Sequence, residues 1–70
     1  MTKIGVGAIV HPSAELDTGV VIEPYAQVEA NTVIGKNSVV GTFSTIHKNT
    51  TIGENNRIMS FSCIGSPPQI

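Results

Sequence analysis

The sequence predicts an all-β chain wound as a parallel β-helix, and three observations predict it. Aliphatic residues recur every six positions without a break: Ile4, Val10, Leu16, Ile22, Val28, Ile34, Val40, Ile46, Ile52, Ile58, Ile64 and Ile70. Four residues after each of the first eleven stands Ala8, Ala14, Val20, Ala26, Thr32, Ser38, Ser44, Thr50, Asn56, Ser62 or Pro68, most of them small. The rest of each hexad collects turn formers, among them Gly7, Gly19, Asn31, Asn37, Asn49, Asn55, Pro12, Pro24 and Pro67. A helix repeats its apolar residues about every 3.6 positions and a lone strand about every 2, so neither yields an unbroken six. A fixed short repeat of this kind is the signature of a solenoid.

Each hexad supplies one short strand, running from two residues before the aliphatic to one after it. Alternation along the strand points the small residue and the aliphatic inward and their two neighbours outward. The last two positions make a corner, where Gly and Asn tolerate positive φ and Pro pre-sets a turn. Three hexads close a triangular coil, and each coil rests on the one below at strand spacing, about 4.8 Å. The eleven hexads from Ile4 to Gln69 therefore give three and two-thirds coils. The aliphatics Val10, Leu16, Ile22, Val28, Ile34, Val40, Ile46, Ile52 and Ile58 are expected to be buried along one axis.

Hexads 18 residues apart share a face. The first face carries Ile4, Ile22, Val40 and Ile58; the second, Val10, Val28, Ile46 and Ile64; the third, Leu16, Ile34 and Ile52. The fourth position of the first face aligns Gly7, Tyr25, Phe43 and Phe61, which places every aromatic residue of the chain at one corner.

Size and composition narrow the function classes. Seventy residues make one domain at most. The net charge is −1, and Lys3, Lys36, Lys48 and Arg57 fall in separate hexads, so there is no basic footprint for nucleic acid. No apolar run approaches the ~18 residues of a membrane span, and no signal-peptide pattern precedes the repeats. A single cysteine forms no internal disulfide and fits a reducing, cytoplasmic setting. A solenoid exposes core and strand edges at its ends unless they are capped. Because the chain stops inside a hexad, residues 1–70 are expected to be one β-helix segment from the N-terminal portion of a longer protein.

Four groups of residues are candidates for chemistry or contact. Tyr25, Phe43 and Phe61 form either a contact with a neighbouring subunit or an N-terminal segment, a self-packing ladder or a ligand platform. Exposed aromatics in line are unusual on a monomer surface, so the subunit contact is the expectation. His11 and His47 share an outward position on the second face with Glu29 between them. Two coils separate the imidazoles by roughly 9–10 Å, too far to share one ion within a chain. A His–Glu–His ladder in which the carboxylate tunes both rings is open to them, as is a plain polar surface. His47 is the better candidate base of the two. Cys63 points outward with no basic cluster near it, and is expected to be inert. Gly35, Gly41, Gly53 and Gly65 follow repeat aliphatics and belong to no phosphate-cradling loop. No metal site and no cofactor are expected.

Three stretches carry a family resemblance: Val10-His11-Pro12-Ser13-Ala14, Ile22-Glu23-Pro24-Tyr25-Ala26, and Phe61-Ser62-Cys63-Ile64-Gly65-Ser66-Pro67-Pro68-Gln69. With the hexads between them, the chain resembles the hexapeptide-repeat UDP-N-acetylglucosamine O-acyltransferases that begin lipid A synthesis. The resemblance implies a left-handed winding, although the usual crossover rule favours the right hand. It also implies acyl transfer from acyl carrier protein to the sugar 3-hydroxyl of UDP-N-acetylglucosamine, in the cytoplasm, by a homotrimer with sites between neighbouring subunits. In that family an Ile-Gly-x-x-x-Gln-Asp segment leaves the helix for a loop that shapes the substrate groove. Gln69 matches its Gln, and Ile70 stands where the family has Asp. The family's general base is a histidine in later coils, matched by neither His11 nor His47, so the 70-residue chain alone is expected to be inactive. Two other readings compete: a non-catalytic β-helix scaffold module, and a γ-carbonic-anhydrase-like zinc enzyme, which needs three converging histidines where this chain has two.

Overall fold

The structure is a computed structural model that describes residues 2–65. Eleven two-residue strands follow one another: β1 Lys3–Ile4, β2 Ile9–Val10, β3 Glu15–Leu16, β4 Val21–Ile22, β5 Gln27–Val28, β6 Val33–Ile34, β7 Val39–Val40, β8 Thr45–Ile46, β9 Thr51–Ile52, β10 Arg57–Ile58 and β11 Cys63–Ile64. They build three parallel sheets, ordered β1-β4-β7-β10, β2-β5-β8-β11 and β3-β6-β9. Every pairing joins residues 18 apart, such as Ile22 with Val40 and Ile34 with Ile52. The three faces are thus the three columns of the sequence, in register throughout. The described residues form an all-β parallel β-helix of about three coils, and its hexapeptide repeats fit the left-handed winding.

The strands are half the length expected, because the residue on each side of the pair already belongs to a corner. Corners close as four-residue turns in which the N–H of the fourth residue donates to the carbonyl of the first. Ala8 to Gly5 at 3.2 Å and Ala26 to Glu23 at 3.2 Å are examples. The third residue of such a turn needs positive φ. Gly7, Gly19, Asn31, Asn37, Asn49 and Asn55 supply it, with φ between 57° and 76°. At Gly5, Gly35 and Gly41 a side chain would strike the backbone of the next coil. A methyl on Gly35 would lie 2.7 Å from the Gly53 carbonyl carbon.

The axis is filled as the period requires in mid-stack. Ile22, Val28, Ile34, Val40 and Ile46 are sealed from solvent, with Val20 and Ala26 beside them and Ile52 nearly so. Thr32, Ser38 and Ser44 are also buried, and each hydroxyl reaches a backbone carbonyl of the next coil. Thr32 Oγ1 donates to Glu29 O at 2.9 Å and approaches His47 O at 3.3 Å, Ser38 Oγ donates to Gly53 O at 2.8 Å, and Ser44 Oγ donates to Met59 O at 2.7 Å. Ser38 Oγ also accepts the Asn56 N–H. A buried hydroxyl without a partner costs free energy, so these bonds explain why small hydroxyl residues are admitted to the axis.

The ends depart from the expectation. Val10, Leu16 and Ile58 are only half-buried, Ile4 is 55% exposed, and the inward-position Asn56 is exposed. Each lies in a coil with a neighbouring coil on one side, so half of its cover is missing. Gly65, the last described residue, takes φ 77° at a hexad position where Gly5, Gly35, Gly41 and Gly53 do not. A Cβ on Gly65 would fall onto Thr50 Oγ1, so only glycine fits this backbone path. Gln69 and Ile70 lie outside the described residues.

Candidate functional site

The aromatic corner is the most unusual surface of the solenoid. Tyr25, Phe43 and Phe61 occupy the same turn position as the corner glycines and asparagines, with φ of 63°, 59° and 64°. Bulky residues rarely adopt this left-handed conformation. Their rings stack in a column, Tyr25 on Phe43 at 5.5 Å between centroids and Phe43 on Phe61 at 5.4 Å, with interplanar angles of 9° and 13°. That is the range in which offset stacking is favourable. The column begins on Gly7, where a Cβ would run into the Tyr25 ring. Stacking nevertheless leaves Tyr25 54%, Phe43 53% and Phe61 77% exposed. Val6 and Ile9 lie exposed on the coil that carries Gly7, at the foot of the column. The backbone ties the corner to its neighbours: the Tyr25 N–H donates to Val6 O, and the Phe61 N–H to Thr42 O.

The outer surface of the second face holds both histidines, Glu29 and Cys63. Glu29 Oε1 accepts the Lys48 N–H at 3.1 Å and faces His47 Nδ1 at 3.4 Å. This pair is partly shielded from solvent. His11 does not join it. Its Nδ1 takes the Ser13 N–H at 3.0 Å and lies 2.9 Å from Ser13 Oγ. The His–Glu–His ladder that the sequence left open is one-sided: Glu29 turns toward the coil of His47, where its Oε1 also caps the Lys48 N–H. Cys63 is exposed and free.

Among the described residues, no three His, Cys, Asp or Glu side chains converge as a metal would require. A shallow groove on the third face, lined by Glu15, Asp17, Val33 and Gly35 with Leu16 and Ile34 at its base, presents two carboxylates on its rim. No helix among the described residues is long and apolar enough to cross a membrane.

Two structural roles were not read from the sequence. Ser13 links His11 to the next coil, because its Oγ accepts the Asn31 N–H at 2.9 Å. Glu23 repeats the capping role of Glu29 one face earlier, accepting the Thr42 N–H at 3.2 Å. The signal was present in both cases: Glu23 and Glu29 occupy the same outward place in consecutive hexads, and Ser13 stands two residues beyond a histidine across a proline.

No curated protein matches the chain. The bacterial transferase hexapeptide (six repeats) family matches it twice, over residues 13–48 and 31–66. The two matches overlap and together cover residues 13–66, more than half of the chain. The chain belongs to the bacterial transferase hexapeptide-repeat family.

Proposed function

We propose that the chain is the N-terminal β-helix portion of an acyl-[acyl-carrier-protein]–UDP-N-acetylglucosamine O-acyltransferase. The observation that carries this reading is Gly65. The resembling family leaves its helix at an Ile-Gly step followed by a loop toward the groove, and here Ile64-Gly65 is where the backbone breaks the hexad rule with φ 77°. Gln69 would then stand at the edge of the acyl-donor and sugar groove. In this reading the residues described supply scaffold rather than chemistry, the general base belongs to later coils, and neither His11 nor His47 abstracts the sugar proton. The protein works in the cytoplasm as a homotrimer about a threefold axis parallel to the solenoid, with Tyr25, Phe43 and Phe61 against a neighbouring subunit.

The test uses protein expressed from the complete reading frame in which these 70 codons lie. Given acyl carrier protein loaded with an acyl chain, it is expected to acylate UDP-N-acetylglucosamine, read by mass spectrometry of the nucleotide sugar. The isolated 70-residue chain is expected to give no turnover above background. Transfer to a different acceptor by the full frame, or no transfer at all, overturns the assignment. Turnover by the isolated chain would place the base among the residues described above.

A further inference from the structure

We propose that the N-terminal end of the solenoid is a docking surface for a second copy of this chain, joined end to end by antiparallel strand pairing. The contact involves the first coil alone and is independent of the acyl-transfer reading. β1, β2 and β3 are each the edge strand of a sheet. The amides of Lys3, Gly5, Ile9, His11, Glu15 and Asp17 all donate to carbonyls of the second coil. Ile22, Val28 and Ile34 accept three of these bonds, so the aliphatic of a coil turns its carbonyl toward the coil below. Backbone groups alternate in direction along a strand. Ile4, Val10 and Leu16 therefore aim both N–H and C=O away from the stack, where no described residue meets them. Unpaired edges of this kind are templates for another strand. Their side chains lack cover as well, since Ile4 is exposed and Val10 and Leu16 are half-buried.

A twofold axis perpendicular to the solenoid, through the middle of the second face, fits a second copy to this edge. The first coil is a ramp that climbs one strand spacing, about 4.8 Å, in a full turn. Rotation about that axis keeps the hand of the winding and sets the high end of one ramp over the low end of the other. The gap is then the same on all three faces. β2 runs antiparallel to its counterpart, while β1 meets the partner's β3 and β3 the partner's β1. Val10 opposes the partner's Val10, and Ile4 opposes the partner's Leu16. These are the residues whose N–H and C=O leave the edge, so each pair exchanges two hydrogen bonds, as the closely spaced pairs of an antiparallel ladder do. Their side chains all point inward, and the apolar axis continues across the seam.

Charge selects the same register. Within residues 2–19, Lys3 is the one lysine or arginine, and Glu15 and Asp17 are the only carboxylates. Beside the Ile4–Leu16 pair, Lys3 lies opposite the partner's Asp17, with the partner's Glu15 on the diagonal, within reach of a long side chain. The symmetry makes this contact twice. One Asp17 oxygen accepts the Thr18 N–H, which fixes the carboxylate beside the edge. Any other perpendicular axis leaves at least one strand unpaired, and an axis through the third face would set Glu15 against the partner's Asp17.

The solenoid measures 21 × 20 Å across its short axes, so the seam is smaller than a standard interface and should dissociate at about 100 µM. Amide exchange of the intact chain at about 20 µM and about 1 mM, on either side of that value, reads the seam directly. By mass action, protection at Ile4, Val10 and Leu16 should rise by about fivefold at the higher concentration. Lys3→Glu opposes like charges and should abolish the rise, while Lys3→Arg should keep it. Lys3 is exposed, so both variants should fold. Protection at these three amides that does not change with concentration overturns the proposal. So does a rise that Lys3→Glu leaves intact, or one confined to Tyr25 and Phe61, which would place self-association at the aromatic corner alone.

Discussion

Two columns of corners in this solenoid share one backbone and differ in side chain. On the third face the turn position is held by Gly19, Asn37 and Asn55; on the first, beyond Gly7, it is held by Tyr25, Phe43 and Phe61. Their φ angles overlap, 58° to 76° in one column and 59° to 64° in the other above Gly7. Gly has no Cβ to clash, and Asn reaches the left-handed region several-fold more readily than most residues. An aromatic residue has neither excuse, and holding it there costs roughly 1–2 kcal/mol. Ring stacking returns about 0.5–1.5 kcal/mol per pair. Three strained residues stand against only two stacked pairs, so the strain is the larger of the two and the aromatic column is not explained by the stability of one chain. What distinguishes it is that half or more of each ring is still in water. An arrangement that does not stabilise the monomer and leaves apolar rings in water suits the contact between copies proposed above.

The largest effect expected is one that should not distinguish the columns at all. Ile34 is fully buried in mid-stack and lies on the axis common to all three corners. Ile34→Ala should lower stability by roughly 2–5 kcal/mol in chemical denaturation, as large-to-small core changes do. A loss well under 1 kcal/mol would mean that the axis is not the shared support, and the comparison of corners would lose its common baseline.

Moving an aromatic into the other column sharpens the comparison. Asn37→Phe places a ring over Gly19 and under Asn55, with no partner to stack on. It should cost about 1–2 kcal/mol, the strain of the left-handed backbone without its compensation. A neutral substitution would show that strain is negligible at these corners, and that the aromatic column needs no special reason to exist.

Much of this was legible in the sequence because the period leaves little freedom. One register of six assigns every residue to a face, and the pairings of Lys3 with Val21, Ile9 with Gln27 and Glu15 with Val33 follow from counting 18. The ends were less legible: Val10, Leu16 and Ile58 obey the pattern, yet pattern alone does not say how many coils cover them. Side-chain direction at the surface was least legible. Periodicity put His11, Glu29 and His47 in one column, but the choice Glu29 makes between its neighbours depends on the Lys48 amide. That His11 prefers Ser13 depends on the corner geometry set by Pro12. The positive φ of the aromatics was hidden for a similar reason, since the position calls for Gly or Asn and the sequence offers rings.

The claim that the aromatic corner exists for association is tested most directly by sedimentation equilibrium of the chain at micromolar concentration, beside the variant Phe43→Asn/Phe61→Asn. Asparagine suits the turn, so the variant keeps the fold. The account predicts a trimer for the wild-type chain and a folded, lighter species for the variant. A well-folded wild-type monomer, or a trimer that the double substitution leaves unchanged, would contradict it.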